Sequence, residues 1–269
     1  MPGGRAVVEL VVPAAEAELA ADALWQAGAS AVGEAPGPAG HVRLTADVDD
    51  PSLVRGPWPV TTREVDEEAH LDAWRAFAGP VRAGPHVLLW PAWVPDGPRG
   101  PDDLVVPLDP GRAFGSGSHP ATRLVVAALE DHPPAGATVL DVGCGSGVLA
   151  IVALRLGAAR AVAIDVDPAA VTATTANARA NGVADRLLVS TTPLADLHEP
   201  FDVVVANIGV RVLQDHAADL EARVAPDGLL VLSGLLEGQA DATVACYPGC
   251  DELERRREDG WAAPVLRRR

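Results

Sequence analysis

The chain contains no lysine. All 21 of its basic residues are arginine, set against 37 aspartates and glutamates, which leaves a formal net charge of −16. Beside abundant alanine, glycine and proline, the missing lysine reads as genomic base composition rather than a functional device. The shortage of positive charge carries more weight. An acidic surface repels phosphate backbones, so no direct nucleic-acid partner is expected, and a small molecule or a basic protein fits better. Cysteine is scarce as well. Cys144, Cys246 and Cys250 are too few, and odd in number, for a disulfide framework. Cys246 and Cys250 are spaced to share a helix face, but no His or Cys cluster completes a metal site, so no metal is expected. No apolar run approaches the ~20 residues of a membrane span. The N-terminus has no charged segment leading into an apolar core, because Glu9 interrupts residues 6–12. The chain is therefore expected to be cytoplasmic, with no membrane partner.

With 48% hydrophobic residues over 269 positions, the chain can fill one large domain or two modest ones. Residues 5–12 are rich in Val and read as a strand. Leu19, Ala23, Leu24 and Ala27 share one face of a helix over residues 14–27, which Gly28 stops. Residues 29–32 and 41–44 read as short strands around a Pro/Gly loop at 35–40. This β-α-β-β pattern predicts a small ferredoxin-like α+β domain at residues 1–56. Residues 57–84 are expected to be a linker, with a connecting helix at 65–77 that puts Leu71, Trp74 and Phe77 on one side. Strands are predicted at 87–90 and 104–107.

From Pro120 onward strands and helices alternate. Helices are predicted at 122–129, 147–157, 168–181, 210–224 and 236–245. Strands are predicted at 138–142, 161–165, 187–190, 201–206 and 228–233. Such alternation implies an α/β fold: a parallel sheet covered by helices on both faces. Asp259-Gly260 between two strand-like runs predicts a closing antiparallel hairpin. Residues 85–269 form the second expected domain.

The chemistry centres on Gly143, Gly145 and Gly147, which follow an apolar strand and precede an apolar helix. A glycine turn at a helix N-terminus lets backbone N–H groups meet an anionic ligand, though a tight turn without a ligand would read the same way. The spacing is G-x-G-x-G. A dinucleotide fingerprint asks for G-x-G-x-x-G, and position 148 is Val. That points away from a nicotinamide cofactor, toward one with a single ribose and a carboxylate. Asp165 ends the next strand, 22 residues after Gly143, where a carboxylate accepts hydrogen bonds from a ribose diol. Asp167 reads as the cap of the helix starting at Pro168. Asn207 ends a later strand on the same expected edge; it suits either the orientation of an amine or the capping of a loop. Residues 109–122 read either as a flexible linker or as a cover over the cofactor, with Thr122 offering a hydroxyl. His119 within them reads as structural rather than as a base.

Taken together, Asp141-x-Gly143-x-Gly145-x-Gly147, Asp165 and the strand ending at Asn207 resemble class I S-adenosylmethionine-dependent methyltransferases. Residues 109–122 and 141–149, Ile164-Asp-Val-Asp-Pro168, Asn181-Gly182-Val183 and Val205-Ala-Asn-Ile208 are similar to the bacterial PrmA family, which methylates the large-subunit ribosomal protein L-eleven. That family's loop reads close to A-F-G-T-G-x-H-x-T-T; here it is Ala113-Phe-Gly-Ser-Gly-Ser-His-Pro-Ala-Thr122. Trp74, Leu89-Trp-Pro-Ala-Trp93 and Ala27-Gly-Ala29 extend the likeness upstream.

The resemblance implies a Rossmann-like sheet with an antiparallel last hairpin, and S-adenosyl-L-methionine as cofactor. It implies cofactor contacts at Thr122, Gly143, Asp165 and Asn207, with Gly145 in the same turn. It also implies an N-terminal domain that recognises the ribosomal protein, and products methylated on lysine ε-amino or N-terminal α-amino groups. Asn207 is the candidate catalytic residue, orienting the amine. Two features depart from the family: Gly209-Val-Arg211 replaces the usual apolar continuation after Asn207-Ile208, and the N-terminal domain is short. Three alternatives stand beside this reading. One is a related lysine methyltransferase with another target, such as the electron-transfer flavoprotein β-subunit. The others are a nicotinamide-dependent oxidoreductase, disfavoured by the glycine spacing, and a non-catalytic binding protein.

Overall fold

The structure is a computed structural model and describes residues 5–27, 29, 32–48, 50–65, 78–111 and 117–269. Two compact units make up the chain, Met1–Phe77 and Ala78–Arg269.

In the first unit, β1 (Arg5–Pro13), α1 (Ala17–Gln26), β2 (Val32–Pro36), β3 (His41–Asp47) and β4 (Thr61–Val65) follow in order. The sheet runs β2-β3-β1-β4 and every pairing is antiparallel. Val8, Leu10 and Val12 alternate along β1, so they share one sheet face; with Leu44 and Ala46 they pack against Ala20, Ala23 and Leu24 of α1. Trp58 closes this core, and its indole N–H donates to Glu16 at 2.7 Å. Two details differ from the sequence expectation. The strand expected at 29–32 begins at Val32 and runs through Pro36. The sheet also continues past residue 56, because Thr61–Val65 pairs with β1. Among the described residues β4 pairs only with β1, and its Thr-Thr-Arg-Glu-Val sequence has no apolar/polar alternation to announce a strand. The helix expected at 65–77, with Leu71, Trp74 and Phe77, lies outside the described residues apart from Val65, which ends β4.

The second unit opens with a small sheet of β5 (Val81–Arg82), β6 (Val87–Pro91) and β7 (Leu104–Leu108). Next come α2 (Pro120–Asp131), β8 (Thr138–Val142), α3 (Val148–Arg155), β9 (Arg160–Ile164), α4 (Pro168–Ala180), β10 (Leu187–Ser190) and β11 (Phe201–Asn207). The chain ends with α5 (Val210–Asp215), α6 (Ala217–Arg223), β12 (Val224–Ser233), β13 (Leu235–Leu236), α7 (Ala240–Val244), β14 (Cys250–Glu258) and β15 (Trp261–Arg268). The large sheet has the order β10-β9-β8-β11-β12-β15-β13, with β14 on the outer side of β15. Strands β8 to β12 pair in parallel, and β15 is antiparallel to its neighbours. This is a mixed α/β fold on a central sheet, closed by the antiparallel hairpin that Asp259-Gly260 predicts. Both turn residues have positive φ, 49° and 80°, as a tight right-twisted hairpin turn requires.

Strand periodicity assigns the two faces. Val139, Ala161, Ala163, Val203 and Val205 face a core built with α2, α3 and α4. Their neighbours Leu140, Val162, Ile164, Val204 and Ala206 face a second core built with α5, α6 and α7. The single helix expected over 210–224 is broken at His216, whose φ of −103° and ψ of 17° end α5 before α6 starts. The helix expected at 236–245 shortens to α7, because Leu235–Leu236 pairs with β15 first. Among the described residues, no helix is long and apolar enough to cross a membrane.

Candidate cofactor site at the carboxyl edge of the sheet

Parallel pairing fixes which residues meet at the sheet edge. Val142 lies opposite Ile164 and Ala206, and Asn207 opposite Ser233. The next residues, Gly143 and Asp165, therefore emerge beside Asn207. Chain order reverses between β8 and β11, and such a switch point opens a crevice at the carboxyl ends of the strands.

The turn after β8 requires glycine. Gly143, Gly145 and Gly147 have φ of 75°, 53° and 79°, a region that L side chains rarely enter. A Cβ on Gly143 would sit 2.2 Å from Ile208 Cγ2, and one on Gly147 would sit 2.6 Å from Thr174 Cγ2. The turn is held from several sides. The N–H groups of Gly143 and Cys144 donate to the Ile164 carbonyl at 2.9 and 3.1 Å, and Gly147 N–H donates to the Cys144 carbonyl at 2.7 Å.

Asp165 is half-buried, and both its oxygens meet backbone: Oδ2 accepts from Gly145 N–H at 2.9 Å and Oδ1 from Asp167 N–H at 3.0 Å. A carboxylate has about four acceptor positions, so capacity remains for a diol. Asp167 caps α4 by accepting from Ala169 N–H at 2.8 Å.

Asp141 is fully buried within β8. One oxygen accepts from Ala150 N–H at 3.1 Å in the first turn of α3. The other has no hydrogen-bond partner among the described residues. Burial pushes its pKa up to about 7, with a smaller upward push from Asp165. Burial also pushes the Cys144 thiol up to about 12, which favours its protonated form at neutral pH. No group of three or more His, Cys, Asp or Glu side chains among the described residues is arranged to hold a metal ion.

On the other side of the crevice, Asn207 Nδ2 donates to the Thr122 hydroxyl at 3.2 Å. Thr122 is 2% exposed and sits in the first turn of α2. That turn is pinned by the buried Ser233 hydroxyl, which donates to the Ala121 carbonyl at 2.9 Å. His119 is the N-cap: its Nδ1 accepts from Ala121 N–H at 3.2 Å, and its ring meets the edge of Trp261 with centroids 4.5 Å apart. Burial first, and then Arg123, hold its pKa below the usual histidine value. This geometry favours a structural role over that of a free base. Arg123 donates from Nε and a terminal nitrogen to Glu258 at 3.1 and 2.7 Å, tying α2 to the end of β14.

The structure thus joins Thr122 to Asn207 and Gly145 to Asp165, and sets Gly143 against Ile208. Residues 112–116 of the expected loop lie outside the described residues. Sequence reasoning missed Thr174, Asn177 and Ser233, all buried polar groups at this edge. The available signal was polar side chains on otherwise apolar faces: Thr174 and Asn177 beside Ala170 and Ala178 on α4, and Ser233 closing an apolar strand.

A family model described as Ribosomal protein L11 methyltransferase (PrmA) matches residues 39–269. The chain belongs to this family. It is 45% identical over 208 residues to the ribosomal protein L11 methyltransferase of Geobacter metallireducens, covering 77% of this chain and 68% of that relative. The corresponding protein of Cupriavidus pinatubonensis is 46% identical over 232 residues, covering 82% of this chain and 76% of the relative. Among solved structures, ribosomal protein L11 methylase from Lactobacillus delbrueckii subsp. bulgaricus is 31% identical with a TM-score of 0.67, covering 71% of this chain and all of that one. Membership makes the chain an S-adenosylmethionine-dependent protein methyltransferase and removes support from the nicotinamide reading. The residues fit that cofactor: spare acceptor capacity on Asp165 suits a ribose diol, and a side-chain-free turn admits close backbone approach.

Proposed function

We propose that this chain transfers methyl groups from S-adenosylmethionine to lysine ε-amino or N-terminal α-amino groups of ribosomal protein L11. The observation that carries the reading is the meeting of the glycine turn, Asp165 and the Asn207–Thr122 pair at one switch point, in a chain of this family. Thr122, Gly143, Gly145, Asp165 and Asn207 hold the cofactor. When bound, S-adenosylmethionine supplies a methyl group made electrophilic by its sulfonium.

The chain's own residues then have one main task, which is alignment. Asn207 Nδ2 is committed to Thr122, which leaves Oδ1 as the acceptor for an amine N–H and directs the nitrogen lone pair. A free lysine has a pKa of ~10.4, so the site takes the amine in its neutral form, which desolvation favours. His119 is occupied by the helix cap. In-line positioning therefore supplies the rate enhancement rather than a strong base.

The first unit is the substrate-recognition domain in this reading. Its strand order, β2-β3-β1-β4, supports the ferredoxin-like reading, with a single 3-10 turn at Pro51–Leu53 between β3 and β4. The net charge of −16 favours a basic protein partner over nucleic acid, and the reaction takes place in the cytoplasm. Gly209, the N-cap of α5, has open space where a side chain would stand, so this departure widens the wall beside Asn207.

The test is label transfer from methyl-labelled S-adenosylmethionine in a lysate supplemented with purified L11. Label is expected on L11. Label confined to another protein, such as an electron-transfer flavoprotein subunit, would reject the proposed target while keeping the chemistry.

A further inference from the structure

Two side chains of α4 hold the glycine turn from behind. Thr174 and Asn177 are one helical turn apart, so they share a face, and both are buried, at 0% and 3% exposure. The Thr174 hydroxyl donates to the Gly145 carbonyl at 2.9 Å. Asn177 Nδ2 donates to the Ser146 carbonyl at 2.9 Å. The same carboxamide clasps Asp109 in both directions, accepting from its N–H and donating to its carbonyl, each at 2.9 Å. Both amide hydrogens and the amide oxygen of Asn177 are thus in use.

Those carbonyls matter because a trans peptide plane points its N–H opposite its C=O. Fixing the Gly145 carbonyl toward α4 fixes the direction of the Ser146 N–H. Fixing the Ser146 carbonyl does the same for Gly147 N–H, which closes the turn on Cys144. Glycine makes the turn possible and leaves it free to flip, so rigidity must come from outside it.

We propose that Thr174 and Asn177 are positioning residues for the cofactor: they orient the peptide planes of the Gly143–Gly147 turn, and Asn177 locks that turn to Asp109, just past the end of β7. The proposal rests on the assignment of this turn to S-adenosylmethionine. Asn181 supplies an internal control. It lies one further turn along α4 and donates to the carbonyls of Pro107 and Asn177 at 2.7 and 2.8 Å, but no hydrogen bond joins it to the glycine turn among the described residues.

The experiment is calorimetric titration of the full chain with S-adenosylmethionine and with S-adenosylhomocysteine, alongside thermal unfolding. Asn177→Asp keeps size and the acceptor oxygen but turns both donations into repulsion; its Kd should rise at least tenfold. Thr174→Val should raise Kd several-fold, and Thr174→Ser, which keeps the hydroxyl, should restore it. Asn181→Ala should lower the Tm comparably while Kd stays within twofold. Two results would overturn the proposal: an unchanged Kd in Asn177→Asp and Thr174→Val, or a Kd that rises in all variants in step with lost Tm. A wild-type chain that binds neither ligand would overturn the cofactor assignment, and this inference with it.

Discussion

Asn207 and Thr122 lie 85 positions apart in sequence, and the carboxamide of one donates to the hydroxyl of the other at 3.2 Å. The bond ties the carboxyl end of β11 to the first turn of α2. It also decides which end of the Asn207 amide is available for chemistry. Asn207→Ala is expected to lower kcat by ~10²-fold, the scale of lost alignment at a reacting centre, with a smaller change in KM for the methyl donor. Thr122→Val removes the hydroxyl proposed to contact the cofactor, a hydrogen bond of about 1 kcal/mol, so the affinity for S-adenosylmethionine should fall about fivefold. Steady-state kinetics and calorimetry check the two effects separately.

Asp165 has two duties, bracing Gly145 and offering acceptors to a ribose. Asp165→Ala should therefore weaken S-adenosylmethionine binding by ~1–3 kcal/mol and also lower the Tm. Asp167→Ala, which loses only the α4 cap, should cost ~1 kcal/mol of stability with little change in affinity. Equal affinities for the two variants would remove Asp165 from the site.

The buried Asp141 makes stability depend on pH. Its pKa rises from 3.8 to about 7 on folding, so between those values the folded state binds more protons than the unfolded one. The associated stability is present in full below about pH 4 and is lost as pH rises toward 7. Asp141→Asn, which keeps the shape without ionising, should flatten this slope. At pH 8 it should raise stability by on the order of 2–4 kcal/mol relative to its effect at pH 4. Denaturant unfolding across that range measures the difference.

His119 has the opposite sign. Its folded pKa lies below the usual 6.5 because burial and Arg123 disfavour the charged form. The stability it contributes is present above pH 6.5 and is lost as pH falls through the depressed value, where Nδ1 gains a proton and can no longer cap α2. His119→Asn keeps a capping acceptor, so it should fold normally and lose this acid-side decline; His119→Ala should cost ~1 kcal/mol at pH 8. Thermal unfolding at pH 5 and pH 8 separates the cases.

What the sequence made legible was local. The three glycines announce a turn whose φ values exclude other residues, the predicted strands ending at Val142, Asp165 and Ala206 mark the edge of the site, and Asp259-Gly260 announces the hairpin. What stayed hidden depends on distant partners. Strand β4 is polar and exists as a strand through its pairing with β1, more than 50 positions away. His216 breaks a helix whose apolar pattern reads as continuous. Ser233 serves the site through a bond to Ala121, 112 positions earlier. Thr174 and Asn177 reach the turn across 29 and 31 positions. A local pattern marks such residues as polar on an apolar face but not what they hold.

The most direct measurement is the intact mass and modified-site map of purified L11 after incubation with S-adenosylmethionine and this chain, run beside Asn207→Ala at equal concentration. The account predicts stepwise methylation of L11 amino groups by the wild-type chain and its near-complete loss in the variant. Unmodified L11 in the presence of a wild-type chain that binds the methyl donor, or equal methylation by the variant, would contradict it.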